Sequence, residues 1–205
     1  MPGARRDPSA VPSKSDRTRA RIIEAAARTL SRLGYAGTRL VDVAAEAGVQ
    51  APAIYYYFGS RDDLIAEVIV VGTIRLREQV ETALAQADPS ASALDRLDLA
   101  VEGHLRQLLT EASFAHAVIR NVGQLPEAIR ARQLVEERRY ASIWRGLFAE
   151  ARADGSLRPG LDPELARLLT IGSLNWVVEW WSPRRSSLDE LVDTAQGVVR
   201  HGISA

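Results

Sequence analysis

The 205-residue chain contains no cysteine, which excludes disulfides, thiolate nucleophiles and cysteine-held metals. Histidine is scarce as well: His104, His116 and His201 stand far apart, without a metal-ligand spacing, so neither a metal site nor a cofactor is expected. No run reaches about 18 consecutive apolar residues, and the N-terminal MPGARRDPSAVPSKSDR lacks an apolar core of the kind a leader needs. A cytoplasmic protein that does not enter the membrane is expected. Nowhere do apolar and polar residues alternate in a sustained way, which argues against half-buried strands. A nucleophile with its base and orienting group is missing, as is a glycine-rich phosphate loop after a strand, so an enzyme is not expected. A helical interaction or structural protein, or one held at a membrane surface, is the remaining rival, although the few basic residues of the N-terminus fall short of a polybasic anchor.

Net charge is also lacking, with 26 basic residues against 26 acidic ones, which at first sight speaks against a nucleic-acid partner. The distribution says otherwise. Residues 1–64 carry ten basic and seven acidic side chains, leaving a deficit of equal size in the rest of the chain. All but one of the basic residues are arginine, which reflects coding bias more than a site.

What the chain does have is helix: alanine, leucine, arginine and glutamate dominate. The most informative stretch is residues 38–64, TRLVDVAAEAGVQAPAIYYYFGSRDDL. Thr38 is a good N-cap, Leu40, Val43, Ala44 and Ala47 share one helical face, and Gly48 stands where the backbone must turn left-handed. A second helix is predicted over about Gln50 to Tyr57. It would bury Val49, Ile54 and Phe58 and leave Gln50, Ala51, Pro52, Ala53, Tyr55 and Tyr56 outward, where a recognition helix meets the major groove. Two helices around a tight glycine turn make a helix-turn-helix. A preceding helix over about Asp16 to Leu33, with Ile22, Ala26, Leu30 and Leu33 inward and Gly34 as its stop, would close its core.

The remaining pattern predicts an all-α chain of about nine helices. Residues 1–15, rich in Pro, Ser and Arg, read as a flexible arm that either is inert or lies along DNA. Residues 16–76 read as the DNA-binding domain, and residues 77–205 as a second helical domain that carries the candidate dimerisation helices. Ser60 and Asp63 open a fourth helix (about 61–87) that passes from one domain into the other. A fifth is predicted over about 92–111, a short sixth over about 114–121, and a long seventh from Pro126 to near Asp154-Gly155. Asp162-Pro163-Glu164 opens the eighth, Pro183 follows it, and Ser187 with Glu190 caps the ninth. The ninth has a broad apolar face that includes Leu188, Leu191, Val192, Ala195, Val198 and Val199. Either helices eight and nine pair with a second copy of the chain, or the ninth packs on its own domain.

Residues 17–69, RTRARIIEAAARTLSRLGYAGTRLVDVAAEAGVQAPAIYYYFGSRDDLIAEVI, resemble the TetR family of bacterial transcriptional repressors. The matching features are the paired alanines of the first helix, Gly34-Tyr35, Thr38, Val43-Ala44, Ala47-Gly48-Val49, Ile54 to Phe58, Arg61 and Leu64. Gln50 and Tyr56 depart from the family pattern, which commonly has serine or threonine at the first and histidine at the second. The resemblance implies a homodimer on double-stranded, palindromic operator DNA, with Thr38, Tyr55, Tyr57 and Arg61 on phosphates and Gln50, Ala51, Pro52, Ala53 and Tyr56 nearest the bases. Arg39 and Arg17 complete the DNA-facing set. Glutamine pairs bidentately with adenine, so Gln50 either reads a base or only caps its helix.

The family also implies a small hydrophobic effector held among helices four to eight, so the resemblance makes residues 77–205 the ligand-sensing domain as well. The segment 172–203, with Asn175-Trp176, Trp180 and Pro183, resembles the subgroup that regulates fatty-acid and steroid catabolism and senses acyl-CoA thioesters. A drug-like or aromatic compound is the alternative. Leu105, Leu109, Phe114, Trp144, Phe148, Asn175 and Glu179 either line a cavity or form a packed core. Trp176 and Trp181 read as dimer-interface or core aromatics, and Arg120, Arg130, Arg132, Arg138 and Arg139 are available for a pyrophosphate.

Overall fold

A computed structural model describes residues 13–205. Among them are nine α-helices, one short 3-10 turn (Val122–Gln124) and a single isolated β-bridge between Leu157 and Ser204. No helix among the described residues is long and apolar enough to cross a membrane, and no group of His, Asp and Glu is placed to hold a metal.

Helix α1 (Lys14–Gly37) starts earlier than expected because Ser13 caps it: its hydroxyl accepts from the Asp16 N–H, and the Asp16 carboxylate accepts from the Ser13 N–H. The expected arm therefore loses its last three residues to this cap and first turn; the rest of it lies outside the described residues. Gly34 interrupts α1 at φ 70°, a left-handed angle that costs glycine little, and the chain continues through Tyr35 rather than stopping. Ile22, Ala26 and Leu30 are buried as expected, whereas Leu33 faces solvent.

The turn between α2 (Leu40–Ala47) and α3 (Ala51–Tyr57) is made by Gly48 at φ 62°. Val43, Ala44, Ala47, Ile54 and Phe58 pack with α1 into one core. Helix α4 (Arg61–Ala85) is capped by Ser60 and crosses the molecule. Its Leu64, Ile65, Val68 and Ile69 belong to the first core and its Val80 to a second. That first core does not end at the expected domain boundary, because Phe114, Ala117, Leu125 and Ile129 are part of it.

Helices α5 (Ala93–Thr110), α6 (Ala112–Asn121), α7 (Glu127–Ala153), α8 (Pro163–Trp180) and α9 (Leu188–Ile203) complete the fold. Ser92 and Asp95 form a capping box on α5, Asp162 caps α8 just before Pro163, and Ser187 with Glu190 caps α9. The second core gathers Leu97, Val101, Leu105, Trp144, Leu147, Phe148 and Leu174 from α5, α7 and α8. Leu191, Val192, Val199 and Ile203 of α9 are buried in the same cluster. The wide apolar stripe of α9 thus serves largely its own chain.

Candidate functional site

The outer face of α3 is built by elimination. On a seven-residue helix, Ile54 enters the core and Phe58 closes behind it, so Tyr55 and Tyr56 turn away. Tyr56 is 80% exposed and Tyr55 61%, with Gln50 and Pro52 also exposed and Ala51 and Ala53 half-buried. Tyr57 is half-buried against the core and meets the Tyr56 ring edge-on at 4.9 Å. Gln50 occupies the N-cap position but makes no side-chain cap hydrogen bond, which leaves its amide available outward. Arg39, at the N-cap of α2, and Arg17, on the first half of α1, are exposed as well. The Arg19 guanidinium lies 5.2 Å from the centre of the Phe58 ring, which brings that half of α1 beside the end of α3.

Two expected phosphate contacts are corrected by their surroundings. Thr38 is 2% exposed and does not cap α2; its hydroxyl donates to the Gly34 carbonyl at 2.7 Å, sealing the end of α1 after the glycine break. Arg61 is turned inward. Its Nε donates to the Thr38 carbonyl at 2.7 Å, Nη1 to Asp62 Oδ1 at 2.9 Å and Nη2 to the Tyr35 carbonyl, while the guanidinium stacks 4.4 Å from the Tyr35 ring centre. This arginine clamps the α1–α2 junction to α4 rather than offering a free charge.

Five helices line a half-open cavity of about 420 Å³. Thr73 and Leu76 come from α4, Gln107 and Leu108 from α5, Phe114, Val118 and Ile119 from α6, Gln133, Glu137 and Tyr140 from α7, and Arg167, Ile171 and Asn175 from α8; Glu111, between α5 and α6, completes the polar groups of the wall. Of the seven residues expected to line such a space, only Phe114 and Asn175 do. Leu105, Trp144 and Phe148 are fully buried packing in the second core, and Leu109 packs against it from its edge. Glu179 is taken up by Arg120, which grips both carboxylate oxygens at 2.7 Å and holds its carboxyl below the usual range. Gln133 and Tyr140 were missed, yet they continue the same α7 stripe as Ile129, Trp144 and Leu147. Polar residues at helical spacing within an apolar row were the available signal.

Behind the cavity wall lies a buried polar cluster. His104 is fully buried, with Nδ1 2.5 Å from the Tyr140 hydroxyl and its ring edge-on to Trp144 at 6.0 Å. Burial lowers its pKa from 6.5 to about 4, opposed by the neighbouring Asn175 amide, so the ring is neutral at neutral pH. No bond of normal geometry joins His104 Nε2 to any described residue. Burial likewise raises the Tyr140 hydroxyl above its ordinary range.

The cavity is tied to the DNA-facing module by side chains. Arg75 Nη1 lies 2.9 Å from Glu24 of α1 and 3.1 Å from both oxygens of Glu111, and its guanidinium sits 4.6 Å from the Phe114 ring centre. Buried Asn121, at the end of α6, accepts the Tyr35 N–H at 2.8 Å just past the Gly34 break.

The nominated interface residues divide between two roles. Leu191, Val192 and Val199 are buried within the chain, and Leu188, Ala195 and Trp181 are half-buried against the same core, with the Trp181 N–H donating to Ser186. These are core residues because α9 lies along α5. Val198 and Trp176 (62% exposed) face outward. On α8 they are joined by Leu165, Leu168, Leu169 and Trp180, an exposed apolar row at three- and four-residue spacing that the sequence reading did not assign.

Residues 22–68 match the family model for bacterial regulatory proteins of the tetR family, and residues 90–203 match that for the tetracyclin repressor-like C-terminal domain. The chain is 25% identical over 162 residues to the fatty acid metabolism regulator protein of Bacillus subtilis, covering 78% of this chain and 81% of that protein. It is 25% identical over 173 residues to the HTH-type transcriptional repressor KstR2 of Mycolicibacterium smegmatis, covering 84% and 83% respectively. Its fold is similar to that of the transcriptional regulator FadR from Bacillus subtilis in complex with stearoyl-CoA, with a TM-score of 0.72, 23% identity, and coverage of 90% of this chain and 98% of that one.

Proposed function

Since the chain belongs to the TetR family of bacterial transcriptional regulators, it is a ligand-responsive DNA-binding protein and not an enzyme, and we propose that it represses as a homodimer on a palindromic operator until a small hydrophobic effector fills the cavity. The observation that carries the DNA half is the outward row Gln50, Pro52, Tyr55 and Tyr56 on a helix whose opposite side is locked into the core. Small residues let the helix approach the groove floor, the exposed Gln50 amide suits adenine, and the Tyr55 hydroxyl with Arg17 and Arg39 suits phosphate. The exposed apolar row of α8, with Val198 of α9, supports the pairing of two copies that matched half-sites require.

The cavity supports the effector half. Glu111 and Phe114 line it and also hold Arg75, which reaches Glu24 of α1. A ligand that displaces Phe114 would shift this bridge and, through Asn121 and Tyr35, the base of the DNA module. FadR of Bacillus subtilis has been solved with stearoyl-CoA, and this supports an acyl-CoA thioester as the effector class. The arginine pattern favours a second reading, a hydrophobic effector without a nucleotide. Of the five nominated for a pyrophosphate, Arg120, Arg132 and Arg139 are already paired with Glu179, with Asp63 and Glu67, and with Glu136.

Fluorescence anisotropy on DNA flanking its own gene tests the whole. Specific binding at moderate salt is expected, with Tyr56→Ala and Gln50→Ala each costing about 1–3 kcal/mol, roughly 5- to 150-fold in affinity, and little stability. Binding no tighter than to random DNA refutes the reading. Release by long-chain acyl-CoA but not by nucleotide-free hydrophobes decides between the two effector classes.

A further inference from the structure

We propose that the cavity recognises an uncharged carbonyl group on its ligand, an ester, thioester, amide or ketone, through Gln133, Tyr140 and Asn175, and discriminates against a carboxylate in the same place. This rests on the reading of the cavity as the effector site and specifies the head group it takes. Gln133 is the first support: it lines the cavity, is 5% exposed, and none of the side-chain hydrogen bonds among the described residues involves its amide. An amide that lines the cavity with neither its donors nor its acceptor engaged by the protein is free to pair with a ligand carbonyl or amide. Asn175, half-buried beside His104, lines the same wall and adds a second neutral side-chain amide to it. Tyr140 is the third group. Its hydroxyl lies 2.5 Å from His104 Nδ1, and with the imidazole proton on Nδ1 the phenol oxygen accepts from the ring and keeps its O–H to donate to a ligand carbonyl.

The charges on the wall decide against an anion. Arg167 lines the cavity but grips both oxygens of Glu164 at 2.9 and 2.5 Å, so its charge is met. Glu111 is met by Arg75. Glu137, exposed at the rim of the cavity, forms no ion pair with any described residue and adds a hydrated negative charge at its mouth. His104 adds no cation, because its ring is neutral. A carboxylate entering here would lose water, find only neutral donors and lie in the field of Glu137, whereas a carbonyl dipole takes the same hydrogen bonds without that penalty. The volume of 420 Å³ corresponds to roughly 14 water-sized groups, which sets the size of the apolar body that accompanies the carbonyl.

Calorimetric titration of the full-length protein with decanamide, methyl decanoate and decanoate tests this. The two neutral compounds are expected to bind at least tenfold more tightly than decanoate. Gln133→Leu should weaken decanamide about tenfold while leaving the melting temperature of the free protein unchanged or higher, since the amide loses no partner; Asn175→Ala is the second variant. Equal binding of decanoate and decanamide, an unchanged decanamide affinity in both variants, or no binding of either neutral compound overturns the proposal. A cavity-filling Ile171→Trp variant separates the two levels. If it abolishes binding while decanoate and decanamide bind the wild type equally, only the head-group inference fails; if it binds as the wild type does, the effector site itself has been misplaced and both fail.

Discussion

Acidification from pH 7 to pH 5 should loosen this protein through one side chain. His104 is fully buried between α5, α7 and α8, with Tyr140, Trp144 and Asn175 around it, and its folded pKa of about 4 lies below its ordinary value of 6.5. The unfolded chain therefore binds more protons than the folded one between those two values. Stability conferred by keeping the ring neutral is complete above pH 6.5 and is lost as the pH falls towards 4. Integrated from pH 7 to pH 5, the loss is about 2 kcal/mol, or roughly 4–8 °C in melting temperature for a chain of this size. The nearly exposed Asp95, whose pKa is lowered to about 2 by hydrogen bonds from Ser92 and then by Arg200, acts only at the acid end of the scale and falls outside this window. Urea unfolding followed by far-ultraviolet circular dichroism at pH 7, 6 and 5 gives the measurement. His104→Phe keeps a planar ring, somewhat larger than imidazole, and removes the titration, so whatever its stability at pH 7, its loss of stability from pH 7 to pH 5 should be about 2 kcal/mol smaller. An equal slope in wild type and variant would refute the assignment.

Two further outcomes follow from particular contacts. Arg61→Ala should lower stability by about 3 kcal/mol, read as a thermal shift, because it leaves the Thr38 and Tyr35 carbonyls without their charged donor. The salt dependence of DNA binding should stay the same, and a slope flatter by about one unit would show that Arg61 reaches phosphate after all. Leu169→Glu, at a position 75% exposed in the single chain, should weaken self-association by at least about 30-fold in sedimentation velocity while leaving the helical signal intact, and an unchanged dimer would place the interface elsewhere.

The helix-turn-helix and the helix boundaries were legible because their determinants are local. Ser60, Ser92, Asp162 and Ser187 act on N–H groups two or three residues away, and Gly48 acts through its own φ, so sequence suffices to find them. The outward face of α3 was legible for a related reason: a seven-residue helix that must bury Ile54 has only one way to orient Tyr55 and Tyr56.

Thr38 and Arg61 carry chemistry suited to phosphate, and only tertiary structure shows that the Gly34 break and the Tyr35 ring take both of them inward. The same division runs through the C-terminal half. The sequence by itself determined that α7 and α9 have apolar stripes and that the chain is helical throughout. Which apolar residues meet solvent was decided by packing: α9 lies on α5 and buries Leu191, Val192 and Val199, which leaves the outward row to α8. Helix order likewise turned a space between α4, α5, α6, α7 and α8 into a cavity and placed Gln133 and Tyr140 in its wall, while Trp144 and Phe148 filled the core behind. Periodicity tells which side chains share a face, but the element that faces them depends on contacts between residues distant in sequence, and those form only when the whole chain is folded.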